Sequence, residues 1–222
     1  SDGLVEVTDP SGVLVEHRDE KAPGTVLFPT VEGRRPLVVE IQALVVPTNA
    51  DQPRRSVNGV PTNRVHQVIG VIERHAAMPL RLHDVYVNVM GGIRITEPGA
   101  DLPVALAIAS SYADVPLGRT AAWGELGLTG DVRPVGRTSV RRTEAERIGA
   151  SPVLSPDGEA TRLFEMLIEC GFGAAMEVSE KIEDPSLRAR VRQEIGKRWL
   201  EKNPAQAKEE LPADLLEQIR NN

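Results

Sequence analysis

Residues 84–111 read DVYVNVMGGIRITEPGADLPVALAIASS, and this stretch decides the fold. Residues 84–90 alternate, with Val85, Val87 and Val89 on one side and Tyr86 and Asn88 on the other. That is the period-two signature of a strand with one buried face. Gly91-Gly92 then turns the chain. Residues 101–112 are nearly all apolar, begin on Asp101 and carry Pro103 in the first turn, so they predict a short helix buried on every side. A helix without a polar face has to lie between other layers, which predicts an α+β class with helices backing a sheet.

Working outward, residues 25–30 and 37–46 form a hairpin-like pair of strands bounded by Gly33-Arg34-Arg35-Pro36 and by Pro47. In the second strand Val39, Ile41, Ala43 and Val45 face one way and Val38, Glu40, Gln42 and Leu44 the other, the pattern of a sheet covered mainly on one face. Asn63 is a candidate N-cap, followed by Val65, Val68, Ile69, Ile72 and Ala76 at helical spacing. Beyond the central stretch, the turn signals Gly124, Gly127, Thr129-Gly130-Asp131 and Pro134 predict two short strands within 121–135. Residues 139–149 predict a basic helix closed by glycine, 152–154 a last strand and 158–170 a further helix.

Three regions follow. Residues 1–22 are polar, turn at Asp9-Pro10, carry the cluster Arg18-Asp19-Glu20-Lys21, and are expected to be a linker from a preceding domain. Residues 23–175 form the body. Residues 176–222 change texture: every lysine except Lys21 falls at Lys181 or later, and prolines at 185, 204 and 212 start helices. The stripe Leu187, Val191, Ile195 and Trp199 of this helical tail is expected to pack on the body or, as the alternative, on another subunit.

Composition narrows the function. Aromatic residues are 3% of the chain, so a base-stacking platform is excluded and any nucleic-acid contact falls on phosphate. The net charge is -6, but residues 51–150 hold 12 arginines and no lysine against 10 acidic residues, while 151–222 hold 10 basic against 14 acidic. The single cysteine, Cys170, excludes an intramolecular disulfide and a paired-cysteine zinc site. No apolar run reaches the length of a membrane span, and the expectation is a cytoplasmic protein.

The segments GRRPLVVEIQALV (33–45) and PRRSVNGVPTNRV (53–65), then 84–111, then GELGLTGDVRPV (124–135) and RRTEAERIGA (141–150) together resemble the RadA/Sms family of bacterial DNA-repair, branch-migration ATPases. The resemblance covers about residues 3–155 and implies the C-terminal Lon-protease-like domain of that family, with the ribosomal protein S5 domain 2-like fold of the Lon proteolytic domain. The four-cysteine zinc finger and the GxxxxGKS/T phosphate loop of a complete member are not in this sequence, since Lys21 follows an acidic pair. The chain is therefore expected to be one piece of a longer protein, with no cofactor of its own.

Active Lon relatives pair a serine nucleophile with a lysine whose neutral form takes the proton. Against that pattern EPGAD puts Gly99 at the serine position, and Ser139 falls at the lysine position. Independently of any alignment, residues 22–180 contain no lysine, and arginine cannot deprotonate to replace one. The chain is expected to be a pseudo-protease and not an enzyme. Ser110, Ser111 and Ser139 are then helix-end residues. His66, His75 and His83 lack the spacing of a zinc pair, and no metal is expected. Glu97 and Asp101 are either a carboxylate pair or, more simply, caps of the helix N-terminus.

Guanidinium forks bind phosphate without reading sequence, and the family resemblance implies ring-shaped hexamers and duplex DNA binding. Arg54, Arg55, Arg64, Arg94, Arg133, Arg137, Arg141 and Arg142 are the candidate contacts. The sequence supports two functions: a non-proteolytic scaffold that holds a hexameric ring and touches DNA nonspecifically, or a protein-interaction module that recruits a repair partner.

Overall fold

The computed structural model describes residues 9–33, 35–76, 78–158, 163, 166, 176, 179–180, 182, 184–202 and 204–220. Its strands are β1 (Thr25–Glu32), β2 (Arg35–Pro47), β3 (Arg55–Asn58), β4 (His83–Val89), β5 (Ala121–Ala122), β6 (Glu125–Leu126), β7 (Val132–Arg133) and β8 (Val153–Leu154). Six of them form one sheet in the order β3-β4-β2-β1-β5-β8, and β6 with β7 makes a separate ribbon. The sheet is mixed: β2 is antiparallel to both β1 and β4, whereas β3–β4, β1–β5 and β5–β8 are parallel.

The central stretch folds as its pattern dictates. Val85, Val87 and Val89 of β4 are buried while Tyr86 and Asn88 stay partly open. Helix α3 (Asp101–Ala113) is buried continuously through Ser110 and packs on β1, β2 and helix α2 (Thr62–His75). Each large aliphatic side chain so enclosed contributes roughly 1.5–3 kcal/mol. Helix α2 buries Val65, Val68, Ile69, Val71 and Ile72 on one face, but it starts at Thr62 without a side-chain cap, and Asn63 sits inside its first turn. Helix α4 (Thr138–Arg147) likewise starts one residue before the expected Ser139, behind Arg137 at φ 63°.

The expectation for β2 holds at one end only. Leu44 and Val46 are exposed on the bare face, yet Val38, Val39, Glu40 and Ile41 are all buried. The cover over that half is helix α1 (Pro10–Val15), which lies inside the stretch expected to be a linker and buries Ser11 and Val15. Backbone geometry explains why α1 docks there. Ala43 N–H bonds Gly24 O, so in this antiparallel ladder Pro29 and Val38 form a non-bonded pair whose polar groups point outward. On the β5 side, β1 overhangs its two-residue neighbour: Pro29 has no N–H to satisfy, and its carbonyl accepts from Arg141 of α4 at 2.6 Å. On the other side, β2 runs beyond the end of β4, and Val38 N–H donates to Ser11 Oγ at 3.0 Å. Side chains of α1 and α4 thus complete a sheet whose outer strands stop short.

Strand β3 was not visible in the sequence, because four residues with three polar side chains carry little periodic signal; it forms an edge by pairing with β4. Of the helix expected at 158–170, only Gly158, Leu163 and Met166 fall within the described residues, and the last two are in the main core. In the tail, α5 (Pro185–Lys202), α6 (Pro204–Glu210) and α7 (Ala213–Arg220) build a small core of their own from Trp199, Ala207, Leu211 and Leu215. Trp199 of the predicted stripe therefore packs within the tail, and the Leu187 side chain lies outside the described ones. Among the described residues no helix is long and apolar enough to cross a membrane.

Candidate functional site

The turn joining β4 to α3 passes through Glu97, a 3-10 turn at Pro98–Ala100, and Asp101. Reciprocal backbone bonds fix it: Gly124 N–H donates to Gly99 O at 3.0 Å and Leu102 N–H to Gly124 O at 3.1 Å. Gly99 is buried, and a Cβ there would stand 3.2 Å from Val135 Cγ2, 3.5 Å from Glu97 Oε2 and 3.6 Å from Phe28 Cε2. A side chain at position 99 would therefore stand against Val135, Glu97 and Phe28.

The two flanking carboxylates make no side-chain cap bond to the helix start; each takes a guanidinium. Glu97 accepts from Thr30 Oγ1 at 2.6 Å and from both terminal nitrogens of Arg141. Arg141 is 3% exposed, donates also to Gly136 O at 3.0 Å, and lies 5.7 Å above the Phe28 ring. Asp101, 5% exposed, accepts from Arg64 through both oxygens and from Leu126 N–H at 3.0 Å. Burial pushes the Asp101 carboxyl above its usual range, and the Arg64 guanidinium opposes that push. Ser139 is exposed on α4, so the side chain that α4 sends into this turn is Arg141.

The eight candidate arginines divide sharply. Arg141 is turned inward, and Arg64 is paired with Asp101 and, at 3.5 Å, with Glu125. Arg55 is stitched to the carbonyls of Arg54, Leu80 and His83. Arg133 is exposed but neutralised by Asp131 at 2.7 Å, and the Thr129 hydroxyl, with help from this arginine, holds Asp131 down at about 2. Arg137 is exposed and donates to Gly33 O, and Arg142 donates to Ser155 Oγ at 3.0 Å while lying 5.6 Å above the Trp123 ring. Neither of these last two meets a carboxylate among the described residues. Arg54 and Arg94 are exposed, and among the described residues their side chains have no hydrogen-bond or ion-pair partner.

Arg54 immediately precedes the edge strand β3, and Arg94 lies beside its other end, where Ile95 N–H bonds Gly59 O at 2.7 Å. Five residues of strand separate the two levels by roughly 17 Å. Between them run Ser56 and Asn58, with Asn58 donating to Asn88 Oδ1 at 2.7 Å. This juxtaposition was illegible in the sequence, because β3 itself was.

The remaining candidates are structural. Ser110 Oγ donates to Val115 O and accepts from Gly24 N–H, and Ser111 Oγ accepts from Val45 N–H at 2.9 Å. His75 bonds Leu128 O at 3.0 Å, and His83 bonds Pro79 O and meets the Tyr112 ring edge-on at 5.1 Å. Among the described residues no three metal-binding side chains come together.

No family model matches the chain. Among curated proteins it is similar to "DNA repair protein RadA" of Mycobacterium tuberculosis (strain ATCC 25618 / H37Rv), with 40% identity over 158 residues, 71% of this chain and 33% of that relative. The RadA of Brucella abortus (strain 2308) is 43% identical over 157 residues, 70% of this chain and 34% of the relative. That of Streptococcus pneumoniae (strain ATCC BAA-255 / R6) is 41% identical over 162 residues, 72% and 39% respectively. The chain thus spans little more than a third of the length of these relatives.

Proposed function

The chain belongs, over most of its own length, to the family of DNA repair protein RadA, and from that premise we propose that it is the family's C-terminal Lon-like domain acting as a non-proteolytic scaffold. In this reading the mixed sheet around the buried α3 is the S5 domain 2-like fold. The domain holds a hexameric ring together and contacts duplex DNA nonspecifically. ATP-driven movement belongs to a part of the longer protein that this chain does not carry.

Loss of peptidase chemistry rests on a buried glycine at position 99 and on the lysine-free run from 22 to 180. DNA contact rests on one observation above the others: Arg54 and Arg94 are exposed at the two ends of one edge strand and, among the described residues, have no side-chain partner. Arg137 and Arg142, without a carboxylate to neutralise them, extend the candidate set, and Arg55, Arg64 and Arg141 leave it. Six copies of Arg54 and Arg94 would put about a dozen positive charges around a duplex, and neutralising 6 to 10 phosphates costs roughly 10³- to 10⁵-fold in affinity between 50 and 200 mM salt.

Light scattering with and without duplex DNA, at low and moderate salt, tests both parts. A mass near six subunits with salt-sensitive binding, lost in Arg54→Ala/Arg94→Ala without a change in mass, supports the scaffold. A second reading, a module that recruits a protein partner, draws on the exposed Leu44 and Val46 beside Tyr86 on the bare sheet face. It gains if the double variant keeps its DNA affinity while Leu44→Glu abolishes capture of a repair protein.

A further inference from the structure

The N-terminal segment is joined to the body by polar ties that converge on α4. Asp9 caps α1 by accepting from Gly12 N–H at 2.9 Å and at the same time accepts from Arg147 at 2.7 and 3.2 Å. Ser11, fully buried, donates to Glu144 while accepting from Val38 N–H, so one hydroxyl links α1, α4 and β2. Arg147 holds Glu144 in turn at 2.9 Å. Farther along, Arg18 is buried against Glu40 at 3.4 Å and donates to Thr25 Oγ1 at 2.7 Å. Glu20 pairs with Arg119 at 2.7 Å, and Arg119 reaches the carbonyl of Ile148 where α4 ends.

We propose that residues 9–21 are a strap whose docking fixes α4, so that holding or releasing the strap sets how the arginines of α4 are presented. Helix α4 hangs between two anchorages. On one side Glu144 and Arg147 are tied to the strap directly and Ile148 only through Arg119. On the other Arg141 is tied to Glu97 and Pro29, and Arg137, just before the helix, to the β1–β2 turn at Gly33.

The strap has the physical properties of a two-state element. A six-residue helix has no stability of its own in water, so α1 is helical only while docked. Its apolar contribution is small: Val15 is buried, Leu14 is half-buried and Val13 is 60% exposed, which leaves polar ties to carry the docking. The outermost tie, Asp9–Arg147, is about half exposed on both sides and so is the weakest. Releasing it uncovers the Ser11–Glu144–Val38 junction and removes the support of both α4 and the overhanging end of β2.

The consequence for nucleic acid rests on the function proposed above, whereas the coupling of strap to α4 does not. Amide hydrogen exchange on the full chain separates them. Asp9→Asn keeps a good N-cap and removes the charge facing Arg147; Ser11→Ala removes the bridging hydroxyl, and Ser11→Thr restores one. In Asp9→Asn/Ser11→Ala, exchange at 138–148 and 35–38 is expected to rise at least tenfold, with α2, α3 and β4 unchanged and the Asp9→Asn/Ser11→Thr chain intermediate. Duplex DNA affinity is expected to fall severalfold in the same order. Faster exchange confined to residues 9–21, or an equal rise throughout the body, overturns the coupling. If the unaltered chain binds no DNA at any salt the DNA reading falls, and the exchange pattern of α4 still decides the strap.

Discussion

At the β1–β5 end of the sheet, Arg141 is 3% exposed and serves three acceptors, Glu97, Pro29 O and Gly136 O; at the β3–β4 end, Arg54 and Arg94 stand in solvent without a partner among the described residues. The sheet itself creates this difference. Where β5 and β8 supply only two residues each, strand ends overhang and side chains must finish the hydrogen bonding. Where β4 runs seven residues beside β2, the ladder satisfies itself, and Arg54 and Arg94 meet no partner among the described residues, although Arg55 still reaches three carbonyls. Residue type alone therefore says little about an arginine in this protein; what it meets across the fold says whether it is structural.

The sharpest way to break this comparison is Arg141→Ala. It strands a half-buried Glu97 and leaves two carbonyls without their donor, and removing one partner of a buried pair costs roughly 3–5 kcal/mol. Urea denaturation should show a loss of that size, and an unchanged midpoint would mean that the closed end does not depend on its arginine.

Next in size is Leu215→Ala. Leu215 is 3% exposed in the small core of the tail, and truncating a leucine so buried costs roughly 2–5 kcal/mol. The loss should fall on the tail, measured as faster exchange at 185–220 with the body unchanged, because the tail has a core of its own. Equal losses in tail and body would show instead that the two unfold as one unit.

Acid provides a third comparison. Arg147 holds the Asp9 carboxyl below its ordinary value, and Arg147 with Ser11 does the same for Glu144 against its burial and the repulsion from Asp9. Depressed carboxylates stabilise the folded state above their ordinary values of 3.8 and 4.5, and that contribution disappears as pH falls through the lowered folded values. Protection of residues 9–15 should be flat from pH 7 to 5 and fall below about pH 4. Asp101 titrates in the opposite sense, since burial raises its carboxyl. Loss of the α2–α3 region before the strap on acidification would contradict this order.

The smallest expected change is in the stability of Arg54→Ala/Arg94→Ala, within about 0.5 kcal/mol of the parent chain. In the function proposed above, the same variant loses about one unit of salt slope for each phosphate contact removed. A destabilised variant would place these arginines with the structural set and erase the contrast between the two ends.

Much of the architecture was legible because it is written in local periodicity. The alternation at Val85, Val87 and Val89 and the apolar run of α3 located their elements to within a residue or two, while residues 121–135, expected to hold two short strands, hold three. Strand β3 and helix α1 were missed for a shared reason: four and six residues are too few to show a period, and each exists only because a longer neighbour offers an edge or a face. The candidate site was legible in residue type and not in pairing. Glu97 and Asp101 stood out as acidic residues beside a helix start, yet their partners Arg141 and Arg64 lie 44 and 37 residues away in the chain.

Sequence by itself determined the class of fold, the absence of lysine from residues 22–180 and the glycine at position 99, because composition and period belong to the covalent chain. Tertiary structure alone decided which charges are neutralised. Whether a guanidinium faces water, a carboxylate or an overhanging carbonyl depends on which strands end early and which helices cross them. Those are contacts between segments far apart in sequence, and no local pattern records them.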